Sequence, residues 1–263
     1  MAAIPETRLS LRVASRELSL GAWYRERPAA ELMLFVHGLA CSKRSFAGAW
    51  TAGPLRELSL LAFDLPGFGS TTAPAGWAHG LAAHAAVIAA VLDAHATQRL
   101  HLVAHSMGGS AALLLPDRLL GRLASLALVE PRLLAESCGV AAEASRHTAE
   151  RFEQQFLPRF RARVAADPRV SFDVERADPR AFHACARSLL QHAGSGELLA
   201  RFLALPCPAY FVYGAENAHL AELARLPASR LLAIPRAGHF PMQDNPGDCY
   251  AALARIAAGG ATA

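Results

Sequence analysis

Leu100-His101-Leu102-Val103-Ala104-His105-Ser106-Met107-Gly108-Gly109 is the stretch on which the reading of this chain turns. The apolar run 100–104 reads as a buried strand, the pattern 107–119 behind it as a helix, and Ser106 falls on the turn between them. A serine displayed on a sharp strand-to-helix turn sits in strained backbone, and its neighbours must be small for the chain to close past it. Ala104 and Gly108 meet that need, although alanine stands where the G-x-S-x-G pattern has its first glycine, which removes one methyl group of clearance.

Outward from the turn, strand-like segments at about 8–13, 18–24, 31–36, 58–63, 100–104, 124–129, 208–213 and 229–234 alternate with helical ones at about 43–56, 78–96, 107–119 and 243–258. From the third strand onward this rhythm predicts a mostly parallel eight-stranded sheet with helices on both faces. The rhythm stops between Pro131 and Pro206, where residues 131–205 are rich in Ala, Arg, Glu and Phe without a convincing strand. That stretch is expected to be a helical lid inserted into one core domain formed by 1–130 and 206–263. Phe152, Phe156 and Phe160 recur every fourth residue and could line a pocket or pack the lid onto the core, while Pro158 is expected to kink or break a helix there.

Two further segments lie where a serine-based site needs them. The strand 32–36 ends in His37-Gly38-Leu39, and the strand-like 231–234 is followed by Arg236-Ala237-Gly238-His239-Phe240-Pro241. With Asp64-Leu65-Pro66-Gly67-Phe68-Gly69-Ser70, these residues resemble the α/β-hydrolase family over nearly the whole chain. The resemblance implies an α/β-hydrolase fold, Ser106 as nucleophile, His239 as base, and an oxyanion hole formed by the Leu39 and Met107 amides. It also implies structural roles for His37 and His105. A serine hydroxyl needs an imidazole to take its proton, and the imidazole needs a carboxylate to fix its tautomer.

The carboxylate is where this chain departs from the pattern. The family most often places an aspartate in a turn after the seventh strand, and here that turn reads Gly214-Ala215-Glu216-Asn217, with Asn217 at the aligned position. Two residues could serve instead. Glu130 ends the strand 124–129 and resembles the acid that haloalkane dehalogenases and some epoxide hydrolases carry after the sixth strand; Glu216 stands one residue early in the usual turn. Glu130 is the expected acid and Glu216 its rival. Asp64 begins a turn in which aspartate bonds backbone amides, so it is expected to be structural.

The remaining composition narrows the classes. With 263 residues and 53% hydrophobic content the chain can bury a large core. The net charge of +4 comes from scattered arginines, with Lys43 the one lysine, so no nucleic-acid footprint is read. The alanine and arginine bias suggests coding in a GC-rich bacterial genome. Five cysteines without C-x-x-C spacing indicate neither disulfides nor a zinc site, and no membrane span or leader pattern is read, so a cytoplasmic setting is expected. No metal, nicotinamide, flavin or phosphate motif occurs, so no cofactor is expected. The expected activity is hydrolysis of a small to medium carboxylic ester or thioester by Ser106, His239 and Glu130. A lactonase, acyltransferase or lyase using the same site, or a ligand-binding protein in which Asn217 marks a decayed acid, are the alternatives. The expected partner is the small-molecule ester or thioester; the sequence leaves the oligomeric state open.

Overall fold

Leu32, Leu34 and Val36 turn to one side of β3 (Leu32–Val36), Met33 and Phe35 to the other, and both sets are buried. The same division recurs in β4 (Ser59–Phe63), β5 (Leu100–His105), β6 (Leu123–Val129) and β7 (Ala209–Gly214). Strands covered on both faces read as near-continuous apolar runs, which is why periodicity marks them so clearly. In the computed structural model, which describes residues 3–28, 30–96 and 98–260, these strands join β1 (Thr7–Val13), β2 (Arg16–Arg25) and β8 (Leu231–Ile234) in one eight-stranded sheet. The order is β1-β2-β4-β3-β5-β6-β7-β8. β1 and β2 pair antiparallel, β2 pairs antiparallel with β4, and every later pair is parallel. All eight strands lie within two residues of their expected bounds.

The helices follow the sequence less closely. α1 (Leu81–Ala94) occupies most of 78–96, but α2 (Met107–Ala112) ends early, and Pro116, which has no N–H to donate, precedes a separate turn Asp117–Leu120. The stretch 43–56 forms two 3₁₀ segments, Lys43–Trp50 and Gly53–Leu55, instead of an α-helix; Gly53 and Pro54 interrupt any longer run. α1 and α2 cover one face of the sheet, while the 3₁₀ segments and the helix Pro246–Ala257 cover the other.

Between β6 and β7 every regular element is helical. Pro158 does not break the chain into two helices. A wide π turn at Phe152–Phe156, closed by the Leu157 N–H donating to the Phe152 carbonyl, runs into Leu157–Val164 with the proline in its first turn. The extra residue in that turn accommodates the ring and the missing donor. Phe152 and Phe156 stack at 5.3 Å and Phe156 and Phe160 at 5.7 Å, and all three rings meet the edge of Phe182 on the helix Pro179–Gly194. Phe152 and Phe156 are interior packing, while Phe160 reaches a cavity wall. Among the described residues no helix is long and apolar enough to cross a membrane.

Candidate active site

β5 delivers Ser106 to the carboxyl edge of the sheet, where parallel α/β folds gather their ligand sites. Its backbone has φ 50° and ψ −121°, a conformation that L-residues rarely hold without support. That support comes from β6, whose Val129 carbonyl accepts the Ser106 N–H at 2.9 Å. Clearance comes from Gly108, because a Cβ there would lie 2.4 Å from the His37 carbonyl oxygen and 2.9 Å from a Val36 methyl. Both atoms belong to the end of the neighbouring strand β3, where they are fully buried and cannot give way cheaply. Gly108→Ala is therefore expected to destabilise the protein by about 3 kcal/mol, lowering the thermal midpoint by roughly 6–12 °C in a circular-dichroism melt. A melt matching wild type would show that the turn has slack.

Glu130 also has positive φ, 49°, and its N–H donates to the Val212 carbonyl at 2.8 Å. The carboxylate is fully buried. Its Oε1 accepts from the Gly214 N–H at 2.9 Å and from Asn217 Nδ2 at 3.1 Å, which leaves Oε2 at 3.3 Å from His239 Nδ1. Burial pushes the carboxyl above its usual range, and the bonds from Asn217 and Gly214 and the charge of Arg132 hold that rise back. Asn217 thus stands where an acid was expected and donates to the acid on the adjacent strand. Glu216 is exposed, and its N–H donates to the Ala237 carbonyl at 3.1 Å. Of the two candidate acids, the fold brings Glu130 to His239.

His239 follows β8 in a loop fixed from two directions. His105 Nε2 donates to the His239 carbonyl at 2.8 Å, and the Gly238 N–H donates to Asp244 Oδ2 at 3.0 Å. Asp244 is paired in turn with Arg169 from the helical segment after β6. The imidazole carries a second contact that the sequence did not suggest: Arg132 Nη2 lies 2.8 Å from Nδ1 and 3.4 Å from Nε2. Desolvation, then the charges of Arg132 and Arg169, drive the His239 pKa well below the ordinary imidazole value. Nδ1 cannot donate to Glu130 and accept from Arg132 at once, so the two neighbours favour opposite tautomers.

His37 and Gly38 set the loop that faces the turn. His37 Nε2 accepts the Leu65 N–H at 2.9 Å, which leaves its Nδ1–H to donate to the Gly38 carbonyl at 2.8 Å. A Cβ on Gly38 would meet His105 Nδ1 at 2.9 Å and Ser106 Cβ at 3.1 Å, so the loop is pressed against the turn. Neither the Leu39 nor the Met107 N–H donates a hydrogen bond among the described residues. Cys41 lines the cavity with its thiol pushed up to about 12 by burial, too high to serve as a nucleophile near neutral pH. Asp64 is engaged in structure: it accepts from the Lys43 and Ser70 N–H groups at 2.7 and 2.8 Å and pairs with Lys43 Nζ at 2.6 Å.

Ser106, His239, Arg132, Leu39 and Cys41 open into one cavity of about 470 Å³, with Phe160 and Phe182 among its further walls. A charged residue such as Arg132, three positions beyond the end of β6, is common in α/β loops, and only the closing of β5, β6 and β8 sets it on the imidazole. Among the described residues no cluster of three or more His, Cys, Asp or Glu side chains is arranged to hold a metal ion.

Ser106, His239 and the buried Glu130 gather at the carboxyl edge of the mostly parallel sheet, and the family match gives the class as a hydrolase. The alpha/beta hydrolase family model matches residues 33–252, and the chain belongs to that family. It is 36% identical over 111 residues to "Probable lysophospholipase BODYGUARD 3" of Arabidopsis thaliana, a match covering 39% of this chain and 22% of that protein. The chain therefore spans about a fifth of the length of that relative. Among solved structures it is similar in fold to a thermophilic esterase from Thermogutta terrifontis, with TM-score 0.73 and 21% identity over 94% of this chain and 96% of that one. It is equally similar to the N-acyl homoserine lactonase AidH in complex with N-butanoyl homoserine, with TM-score 0.75 and 19% identity over 96% of each chain.

Proposed function

We propose that the protein hydrolyses a carboxylic ester or thioester of small to medium size through an acyl-enzyme intermediate. The observation that carries this reading is the buried Glu130 carboxylate 3.3 Å from Nδ1 of His239, a histidine that lines the same cavity as Ser106. Ser106 Oγ attacks the carbonyl carbon as His239 Nε2 takes the hydroxyl proton. The oxyanion is held by the Leu39 and Met107 N–H groups, which have no other partner among the described residues. The imidazolium, stabilised by Glu130, gives its proton to the departing alcohol or thiol. Water, activated by the same imidazole, then releases the acid. A lactone ring would open by the same steps.

The cavity volume falls inside the usual range for small-molecule sites, about 300–1,000 Å³, and its outer wall of Val140, Val164, Val170, Val174 and Leu189 suits an apolar chain. These residues come from 131–205, which acts as the lid in this reading.

The test is a series of p-nitrophenyl esters from acetate to palmitate, followed between about pH 6 and 9. Turnover is expected across that range, with a preference for the shorter chains. The base must be neutral, and a histidine whose pKa is lowered stays neutral further into acid. The rate should therefore hold through neutral pH and fall only below the ordinary imidazole value of about 6.5. A folded protein that turns over none of the esters would sink the proposal.

A further inference from the structure

Arg132 stands apart from the other charged residues of the cavity wall, whose ion pairs are short. Arg163 meets Glu143 at 2.9 Å, and Asp167 meets Arg169 at 2.7 Å. Arg132 alone spends its hydrogen bonding on an imidazole: among the described residues its guanidinium donates only to His239, and its ion pair with Glu130 is a long one at 3.8 Å, with no hydrogen bond. That carboxylate already serves Gly214, Asn217 and His239.

The contact with His239 also conflicts with the chemistry beside it. A guanidinium can only donate, so its bond to Nδ1 requires Nδ1 to be without its proton. The base needs the opposite tautomer, with Nδ1–H donating to Glu130 and Nε2 open towards Ser106. Arg132 must leave the imidazole for the site to work, and a cation with five donors then faces a cavity of largely apolar wall. The main chain does not have to move with it. Ser110 Oγ, on α2 directly behind Ser106, donates to the Arg132 carbonyl at 2.9 Å and accepts its N–H at 3.2 Å. The side chain, 16% exposed, can turn while its root stays fixed beside the nucleophile.

We propose that Arg132 determines specificity by binding a carboxylate on the acyl part of the substrate, and that this binding releases His239 Nδ1 to Glu130. The substrate class is a monoester or thioester of a short dicarboxylic acid, whose free carboxylate matches the guanidinium fork. The inference rests on the hydrolase reading above and narrows it.

The experiment compares kcat/KM for monomethyl succinate and for methyl butyrate, its uncharged counterpart, in wild type, Arg132→Gln and Arg132→Lys. Wild type is expected to favour the charged ester at least tenfold. The ratio of the two values should fall ten- to hundredfold in Arg132→Gln and recover in part in Arg132→Lys, which keeps the charge without the fork. The ratio cancels any general loss from imperfect folding. Wild type that favours methyl butyrate, or a ratio unchanged by Arg132→Gln, overturns the proposal. A calorimetric titration with succinate separates this from the parent reading. Binding that weakens at least tenfold in Arg132→Gln upholds the anion site even if neither ester is hydrolysed, in which case the hydrolase reading fails alone. Succinate binding that is absent, or indifferent to Arg132, overturns the anion site even where esters turn over.

Discussion

Ser106→Ala is expected to remove ester turnover by a factor on the order of 10⁴–10⁶ while leaving the fold in place. The serine side chain makes no hydrogen bond among the described residues, and its structural duty is carried by the backbone, through the N–H to Val129. Alanine can occupy the same strained φ with the same bond, so the thermal midpoint should stay close to wild type. What disappears is the oxygen that joins the acyl group. The residual rate should be what an oxyanion hole and a shaped cavity give to an attacking water. Stoichiometric labelling by a fluorophosphonate, present in wild type and absent in the variant, checks the assignment independently of any substrate. If the variant keeps a tenth of the wild-type rate, the nucleophile lies elsewhere. If wild type resists the label and binds ligands without turnover, the site belongs to a binding protein.

Glu130→Gln is expected to lower kcat/KM by about 10⁴, the loss seen when a triad carboxylate becomes an amide. The local geometry explains why so small a change should do so much. The Gly214 N–H and the Asn217 amide both donate to Oε1, so they select the amide oxygen of a glutamine for that position. The NH₂ group then takes the place of Oε2, where it faces His239 Nδ1 and can only donate. The imidazole is driven to carry its proton on Nε2, towards Ser106, and cannot take another. The arrangement of donors around Glu130 thus enforces the wrong tautomer in the variant as firmly as it orients the acid in wild type. Glu216→Gln is the control. Glu216 is exposed and should change kcat/KM by no more than about twofold, in keeping with a substitution away from the buried network. The reverse pattern, with Glu216→Gln inactive and Glu130→Gln unaffected, would transfer the acid to the turn after β7.

The sequence carries the sheet plainly because strands buried on both faces must be apolar throughout, and it carries the serine turn because only small residues close it. Its silences have physical causes too. Lys43 to Leu55 has helical composition, yet its hydrogen bonds tighten to the 3₁₀ spacing around Gly53 and Pro54. Pro158 signals a broken helix, and a π turn absorbs it. Asn217 reads as a missing charge when the turn is considered alone; set against β6 it is a donor whose partner lies 3.1 Å away on Glu130. An aspartate there would put two carboxylates side by side, so the acid after β6 and the amide after β7 belong together. Arg132 gave no signal at all, because its meaning depends on a histidine more than a hundred positions away in the chain.

The strand that precedes His239 is the shortest member of the sheet and lies at its edge. β8 has four residues, three of them less than fully buried, and it pairs with β7 alone, whereas β5 and β6, which hold Ser106 and Glu130, lie in the interior. Amide exchange in such a sheet follows a gradient, with the edge opening through local excursions far smaller than global unfolding. Each excursion of β8 would leave the loop of His239 held only by its bonds to His105 and Asp244, while nucleophile and acid stay in place. Exchange at Leu232 to Ile234 would track a dormant form of the molecule. On warming, that form is expected to accumulate before the core melts, with activity returning on cooling as the edge anneals.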